Sequence, residues 1–179
     1  MLTAENTLAL AIDFQTRLMP PIHDYEELAR KSAIFIKGCR ILGAPIIIKQ
    51  QYTKGLGDTI PEVKDALGGF EYIEKITFSC CGSNEFNEVL NQIDKKNILI
   101  TWIEAHICVQ QTVLDLLRDG YSVYVVADCI GSRFETDKLY AERRMEIAGA
   151  VFTTSESVLF EMMISADHPM RKEISNLVK

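Results

Sequence analysis

Short apolar runs, separated by segments with helical spacing, restrict this chain to a small set of folds. Thr7–Ile12, Pro45–Ile48, Asn97–Thr101, Ser122–Ala127 and Val151–Thr153 are close to continuously apolar, and Tyr72–Thr77 adds a short extended piece. A strand of that kind is buried on both faces, which happens when helices cover both sides of a parallel sheet. Between the runs lie Tyr25–Leu42, which stops at Gly43; Pro61–Leu67; a segment from Ser83 to Lys95; and Val109–Arg118, which ends before Gly120. Asp137–Ala148 and Ser155–Ile164 follow, and Pro169 opens a terminal helix. Glycine stops and Ser caps of this sort delimit helices. The alternation predicts an α/β chain: a three-layer α/β/α, Rossmann-like single domain over residues 1–179 with a mostly parallel sheet of about six strands.

Composition narrows the partners. A chain of 179 residues needs no second domain, and 47% hydrophobic with 25% charged residues fits a globular protein. Its longest apolar runs, such as Ile46–Ile48 and Val123–Ala127, are far too short to cross a bilayer, so no membrane partner is expected. A net charge of -6, with no segment clustering Lys and Arg, argues against nucleic acid and leaves small molecules or proteins. Residues 1–6 carry no basic region before an apolar stretch, so the expected location is the cytoplasm. Five cysteines without a C-x-x-C pair imply neither a disulfide framework nor a zinc site.

In open parallel sheets, ligands bind beyond the carboxyl ends of the strands. Asp13, the loop after Ile48, Cys108 and Asp128 all fall there. Cys108 stands where the Asn97–Thr101 strand turns into a helix, and a thiol at a helix start meets the positive end of the dipole and unpaired N–H groups, which favour thiolate. It reads either as a nucleophile or as a small buried hydrophobe. Asp13 and Lys75 are its natural partners, one able to take and return a proton, the other to stabilise a sulfur anion.

Ile100-Thr101-Trp102-Ile103-Glu104-Ala105-His106-Ile107-Cys108-Val109-Gln110-Gln111-Thr112, with Asp13 after the first strand and Lys75 midway, resembles the isochorismatase-like cysteine hydrolases. Gln51-Tyr52-Thr53-Lys54-Gly55-Leu56-Gly57 and Lys75-Ile76-Thr77-Phe78-Ser79 point to the branch of isochorismatase domain-containing proteins. The resemblance implies an isochorismatase-like hydrolase fold and an Asp13, Lys75, Cys108 triad. It also implies a cis peptide between Ile103 and Glu104, and an oxyanion hole from the Glu104 and Cys108 backbone N–H groups. The implied activity is hydrolysis of a small amide, carbamoyl or isochorismate-like compound through a cysteine covalent intermediate.

The chain departs from that family at two places. Trp102 stands where a small residue is common, and it reads either as core or interface packing or as a pocket wall. Gln50-Gln51-Tyr52 replaces the Asp-x-His metal motif of related nicotinamidases, and His23, His106 and His168 are widely spaced, so a metal-free site without a cofactor is expected. Gln15 and Tyr52 are candidate substrate hydrogen-bonders or solvated loop groups, and Phe14, Leu56 and Phe78 candidate apolar lining or ordinary core. His106 reads as a base or a surface group, and Asp128 as an organiser of the Gly131-Ser132-Arg133 loop. The apolar stretch Val158–Ile164 packs either between subunits of a homo-oligomer or on its own core. Three rival classes remain: a catalytically silent oligomeric scaffold, a thiol redox protein, for which a C-x-x-C is missing, and a nucleotide-binding Rossmann protein, for which Asp13-Phe14-Gln15 replaces the glycine-rich turn.

Overall fold

The computed structural model describes the backbone of residues 1–179 and every side chain except that of Trp102, which lies outside the described groups. Six strands, β1 (Thr7–Ile12), β2 (Ile46–Gln51), β3 (Ile73–Lys75), β4 (Asn97–Ile103), β5 (Ser122–Gly131) and β6 (Val151–Thr153), form one sheet in the order β3-β2-β1-β4-β5-β6. Every pairing among them is parallel. The helices are α1 (Tyr25–Leu42), α2 (Thr53–Leu56), α3 (Pro61–Leu67), α4 (Asn84–Ile93), α5 (Gln110–Arg118), α6 (Glu135–Ile147), α7 (Ser155–Met163) and α8 (Arg171–Leu177).

The apolar runs become strands because the sheet is buried on both sides: all six residues of β1 are buried, and Ile98, Leu99 and Ile100 of β4 are fully so. Helix α1 packs with α7 and α8, and α5 packs with α6; the right-handed rule for parallel crossovers puts these two groups on opposite faces of the sheet. Helix ends follow their signals. Gly43 closes α1 at φ 80°, its N–H reaching the Arg40 and Cys39 carbonyls, and Ser83 accepts the Phe86 N–H at the start of α4. Val158, Leu159, Met162 and Met163 of α7 face the chain's own core, while Phe160, and Ile164 just past the helix, are exposed.

Several boundaries differ from the sequence reading, and β2 runs on past Ile48 to Gln51. Strand β4 runs on through Ile103, and β5 continues past Ala127 to Gly131 across a register shift opposite Ile100 and Trp102, which Thr101 Oγ1 helps hold by donating to the Cys129 carbonyl at 2.9 Å. Asp128 therefore lies inside β5. Its carboxylate accepts from Ser155 N and Oγ at 2.7 and 2.6 Å and fastens α7, while Arg133 pairs with Glu104 instead. The loop after β2 also gains a short helix, α2, that its glycines concealed.

Order β3-β2-β1-β4-β5-β6 reverses direction between β1 and β4, and the connections leaving the carboxyl ends of these neighbours run to opposite sides, the topological switch point of the sheet. Close helix packing supports this frame: a Cβ on Gly38 of α1 would lie 2.5 Å from Leu159 of α7, itself fully buried. Gly38→Val is expected to lower unfolding stability by about 1–3 kcal/mol through overpacking, read as a lower urea midpoint at unchanged slope.

Candidate active site

Three side chains, two at strand ends and one in the turn after β4, meet beside that switch point. Asp13 directly follows β1 and adopts φ 57°, a left-handed conformation that Asp tolerates better than most residues. Its N–H donates to the Lys49 carbonyl at 3.1 Å and its carbonyl accepts from Gln15 N at 2.7 Å, so the turn is fixed at both ends. Lys75 is the last residue of β3, in register with Gln51 of β2. Cys108 follows β4 and the Ile103–Glu104 peptide bond, which is cis.

Lys75 Nζ is the hub. It donates to Asp13 Oδ2 at 2.7 Å and to Gln51 Oε1 at 2.6 Å, and lies 3.7 Å from Cys108 Sγ. The pair is buried, the Lys75 and Asp13 side chains being 0% and 1% exposed. Segments on either side hold Lys75 in place. Tyr52 N donates to its carbonyl at 3.1 Å, and Gln51 Nε2 donates to the Ile76 carbonyl at 2.8 Å. Further on, Ser79 Oγ donates to Asp115 at 2.6 Å and Cys80 N to Thr112 Oγ1 at 2.9 Å, tying the 3-10 turn Cys80–Gly82 to α5.

Cys108 is not at the start of α5. Residues Ala105–Val109 form a π-helical turn, with the Val109 N–H on the Glu104 carbonyl at 3.3 Å, and α5 begins after it. The helix-dipole argument for a preformed thiolate therefore gives way to burial. Cys108 is 8% exposed, and burial first, then Asp13, pushes its thiol up to about 12, while Lys75 pulls the other way. The resting group is a thiol with a carboxylate beside it that can accept its proton.

The remaining sequence candidates separate. Phe14 lies in the core at 3% exposure, and Gln15 is fully buried, its amide donating to the Gly57 carbonyl at 2.6 Å and accepting from Gln51 N at 2.8 Å, so it fastens the loop after β2. Tyr52 and Phe78 are exposed on segments flanking Lys75, and Leu56 is half-buried. The Tyr52 ring covers Gly55, where a Cβ would lie 2.1 Å from it, so any larger residue there displaces the ring. His106 faces Ser132 Oγ at 3.0 Å and Asp137 at 3.9 Å. Sequence reasoning missed Gln51, the third partner of Lys75. Strand alternation was the available signal, since Gln51 and Lys49 share one parity. Among the described residues, no group of three or more His, Cys, Asp or Glu side chains converges as a metal site. No helix among them is long and apolar enough to cross a membrane.

Comparison with known proteins agrees with this fold. A family model described as the isochorismatase domain matches residues 7–157. Isochorismatase domain-containing protein 1 of Danio rerio is 35% identical over 99% of this chain and 62% of its own length. The chain spans about three-fifths of the first curated relatives it matches. The solved structure of MAR1 ribonuclease from Caenorhabditis elegans is 36% identical, with a TM-score of 0.93 over 99% of this chain and 91% of that one. The Escherichia coli ycaC gene product, an octameric hydrolase of unknown specificity, is 22% identical with a TM-score of 0.88 over 98% and 86%.

A thiol held near 12 is ionised only in a small fraction at neutral pH. Carboxamidomethylation of Cys108 should rise about tenfold per pH unit from about pH 7 to 10 without a plateau, measured peptide by peptide in a mass spectrometer. The buried pair makes a second prediction. Lys75→Met strands the Asp13 carboxylate and should cost about 3–5 kcal/mol, and adding Asp13→Leu should recover part of the loss in a double-mutant cycle.

Proposed function

The chain belongs to the isochorismatase domain family, and from that membership we propose that it is a metal-independent cysteine hydrolase of a small molecule. Its bond would be the C–N bond of an amide or carbamoyl compound, or an isochorismate-like ether. The observation that carries this reading is the buried Asp13–Lys75–Cys108 cluster, with contacts of 2.7 and 3.7 Å around one ammonium.

For an amide, Asp13 takes the Cys108 proton as sulfur attacks the carbonyl carbon, and Lys75 stabilises the sulfur anion. Backbone N–H groups of Glu104 and Cys108 hold the oxyanion. Collapse breaks the C–N bond, Asp13 returns the proton to the departing nitrogen, and a thioester remains. Asp13 then removes a proton from water, the hydroxyl adds to the thioester, and the C–S bond breaks to release the acid. The proton on Asp13 passes back to sulfur and restores the thiol.

A net charge of -6 supports a small-molecule substrate over nucleic acid, although the Caenorhabditis elegans neighbour bears a ribonuclease's name. Cys39, Cys80, Cys81, Cys108 and Cys129 are all free thiols, which supports a reducing cytoplasm. Exposed Phe134, Tyr140 and Ile147 on and beside α6 support a homo-oligomer. The raised Cys108 thiol favours one alternative, a catalytically silent oligomeric scaffold of the same fold.

Screening the purified protein against small amides, carbamoyl compounds and isochorismate separates the two. Turnover of at least one compound is expected, with Cys108→Ala lowering it by about 10³-fold or more at an unchanged melting temperature. Turnover retained in that variant overturns the nucleophile assignment, and turnover of none of the panel favours the scaffold.

A further inference from the structure

The turn that carries Cys108 is gripped from outside by the loop that follows β5. Strand β5 ends with Gly131 in register with Ile103, the residue before Glu104. That end is set tightly in the frame. A Cβ on Gly131 would lie 2.6 Å from Leu28 of α1 and 2.8 Å from Ile22, and the Ser132 carbonyl accepts from His23 N at 3.1 Å. The next two side chains both reach across to the turn after β4. Ser132 Oγ, on a buried residue, lies 3.0 Å from His106 Nδ1, and Arg133 donates from Nε and N to Glu104 Oε2 at 2.9 and 3.3 Å. Asp137 of α6 stands 3.9 Å from the other His106 nitrogen.

The ion pair adds little to stability. Its Arg133 side chain is 48% exposed, and a pair open to solvent on one side contributes about 0–1 kcal/mol. Its consequence is local. Glu104 is held by its carboxylate from the β5 loop and by its carbonyl from within the turn, where Ile107 N and Val109 N donate at 3.1 and 3.3 Å. The Glu104 N–H is one oxyanion donor in the proposed reaction, and His106 stands two residues before Cys108, whose N–H is the other. A donor serves a transition state only when its direction is fixed beforehand, and losing one costs about 10²–10³-fold in rate.

We propose that Ser132 and Arg133 are positioning residues that clamp the turn from Glu104 to Cys108, so that its two amides face the oxygen on which negative charge develops. This rests on the reading of Cys108 as a nucleophile supported by those amides. Asp13 and Lys75 deal with the proton and the sulfur, and the clamp acts on the oxygen alone.

Two small reagents separate the oxygen from the sulfur. N-acetylimidazole acylates a thiol by attack of sulfur on its carbonyl carbon, which places negative charge on the carbonyl oxygen before the C–N bond breaks and imidazole leaves. Iodoacetamide alkylates the same sulfur by displacing iodide, with no oxyanion. Access to Cys108 and removal of its proton enter both rates, so their ratio reports the support given to the oxygen. The rates are read on the full chain at one pH, as imidazole released with protein in excess, corrected with Cys108→Ala, and as carboxamidomethylation of the Cys108 peptide by mass spectrometry. The acylation-to-alkylation ratio of wild-type Cys108 should exceed that of glutathione by about tenfold or more. Arg133→Gln and Ser132→Ala, melting near wild type, should each lower it about three- to tenfold while alkylation changes by less than about twofold. A ratio within about twofold of wild type in either variant overturns the role of that residue, including where both rates fall together, which would report loss of structure. A wild-type ratio no higher than that of glutathione removes the oxyanion reading itself, and the clamp with it; a high ratio that both variants keep removes only the clamp.

Discussion

The ion pair between Lys75 and Asp13 joins residues 62 positions apart, and it can form only when β1, β2 and β3 stand side by side. Neither group tolerates its 0–1% exposure alone, because an unpaired buried charge costs several kcal/mol. The neighbourhood is arranged to keep the two together. Gln51 accepts a second hydrogen bond from Lys75, the Lys49 carbonyl fixes the Asp13 turn, and Ser79 and Cys80 bind the segment after Lys75 to α5. Sheet register and site geometry are therefore one constraint: a slip of one residue in β2 or β3 would turn Gln51 and Lys75 to the opposite face.

That constraint explains which parts could be read from the chain. Strands whose burial is two-sided announce themselves as apolar runs, and Gly43, Gly120 and Ser83 mark helix ends by local chemistry, so the α/β architecture and the sheet were legible. Asp13 and Cys108 were legible by position, because a parallel sheet places its functional residues just past strand ends. Lys75 entered as a cation able to stabilise a sulfur anion, and the family resemblance pointed to the same residue. Gln51 was hidden because a glutamine after a strand looks like any solvated loop residue; only the pairing of Gln51 with Lys75 gives it a task. Asp128 misled for the complementary reason. An acid after an apolar run suggests a strand end, but the register shift in β5 carries the strand past it, and its carboxylate faces Ser155.

The chemical environment of Cys108 was the least legible part. A cysteine at a strand-to-helix junction invites a dipole argument whose strength depends on the first turn being α-helical. Here that turn is a π-turn, and no residue pattern in Ala105–Val109 distinguishes the two. Burial then dominates, and the sulfur rests protonated.

A protonated sulfur is consistent with the proposed chemistry once the proton is counted. One proton serves Cys108 and Asp13 in turn. If Cys108 were ionised at rest beside an ionised Asp13, no acid would be present to release an amine, and the carbon–nitrogen bond would break only against a poor leaving group. With the thiol protonated, the proton that leaves sulfur in the first step is the proton that the departing nitrogen requires. A water-poor cluster with a high thiol pKa keeps that proton inside the site, provided sulfur can still give it up when substrate arrives. Lys75, 3.7 Å from sulfur, works toward that release, while burial and Asp13 oppose it. The reactivity of this site is thus set by the balance of Lys75 against burial and Asp13 around one sulfur.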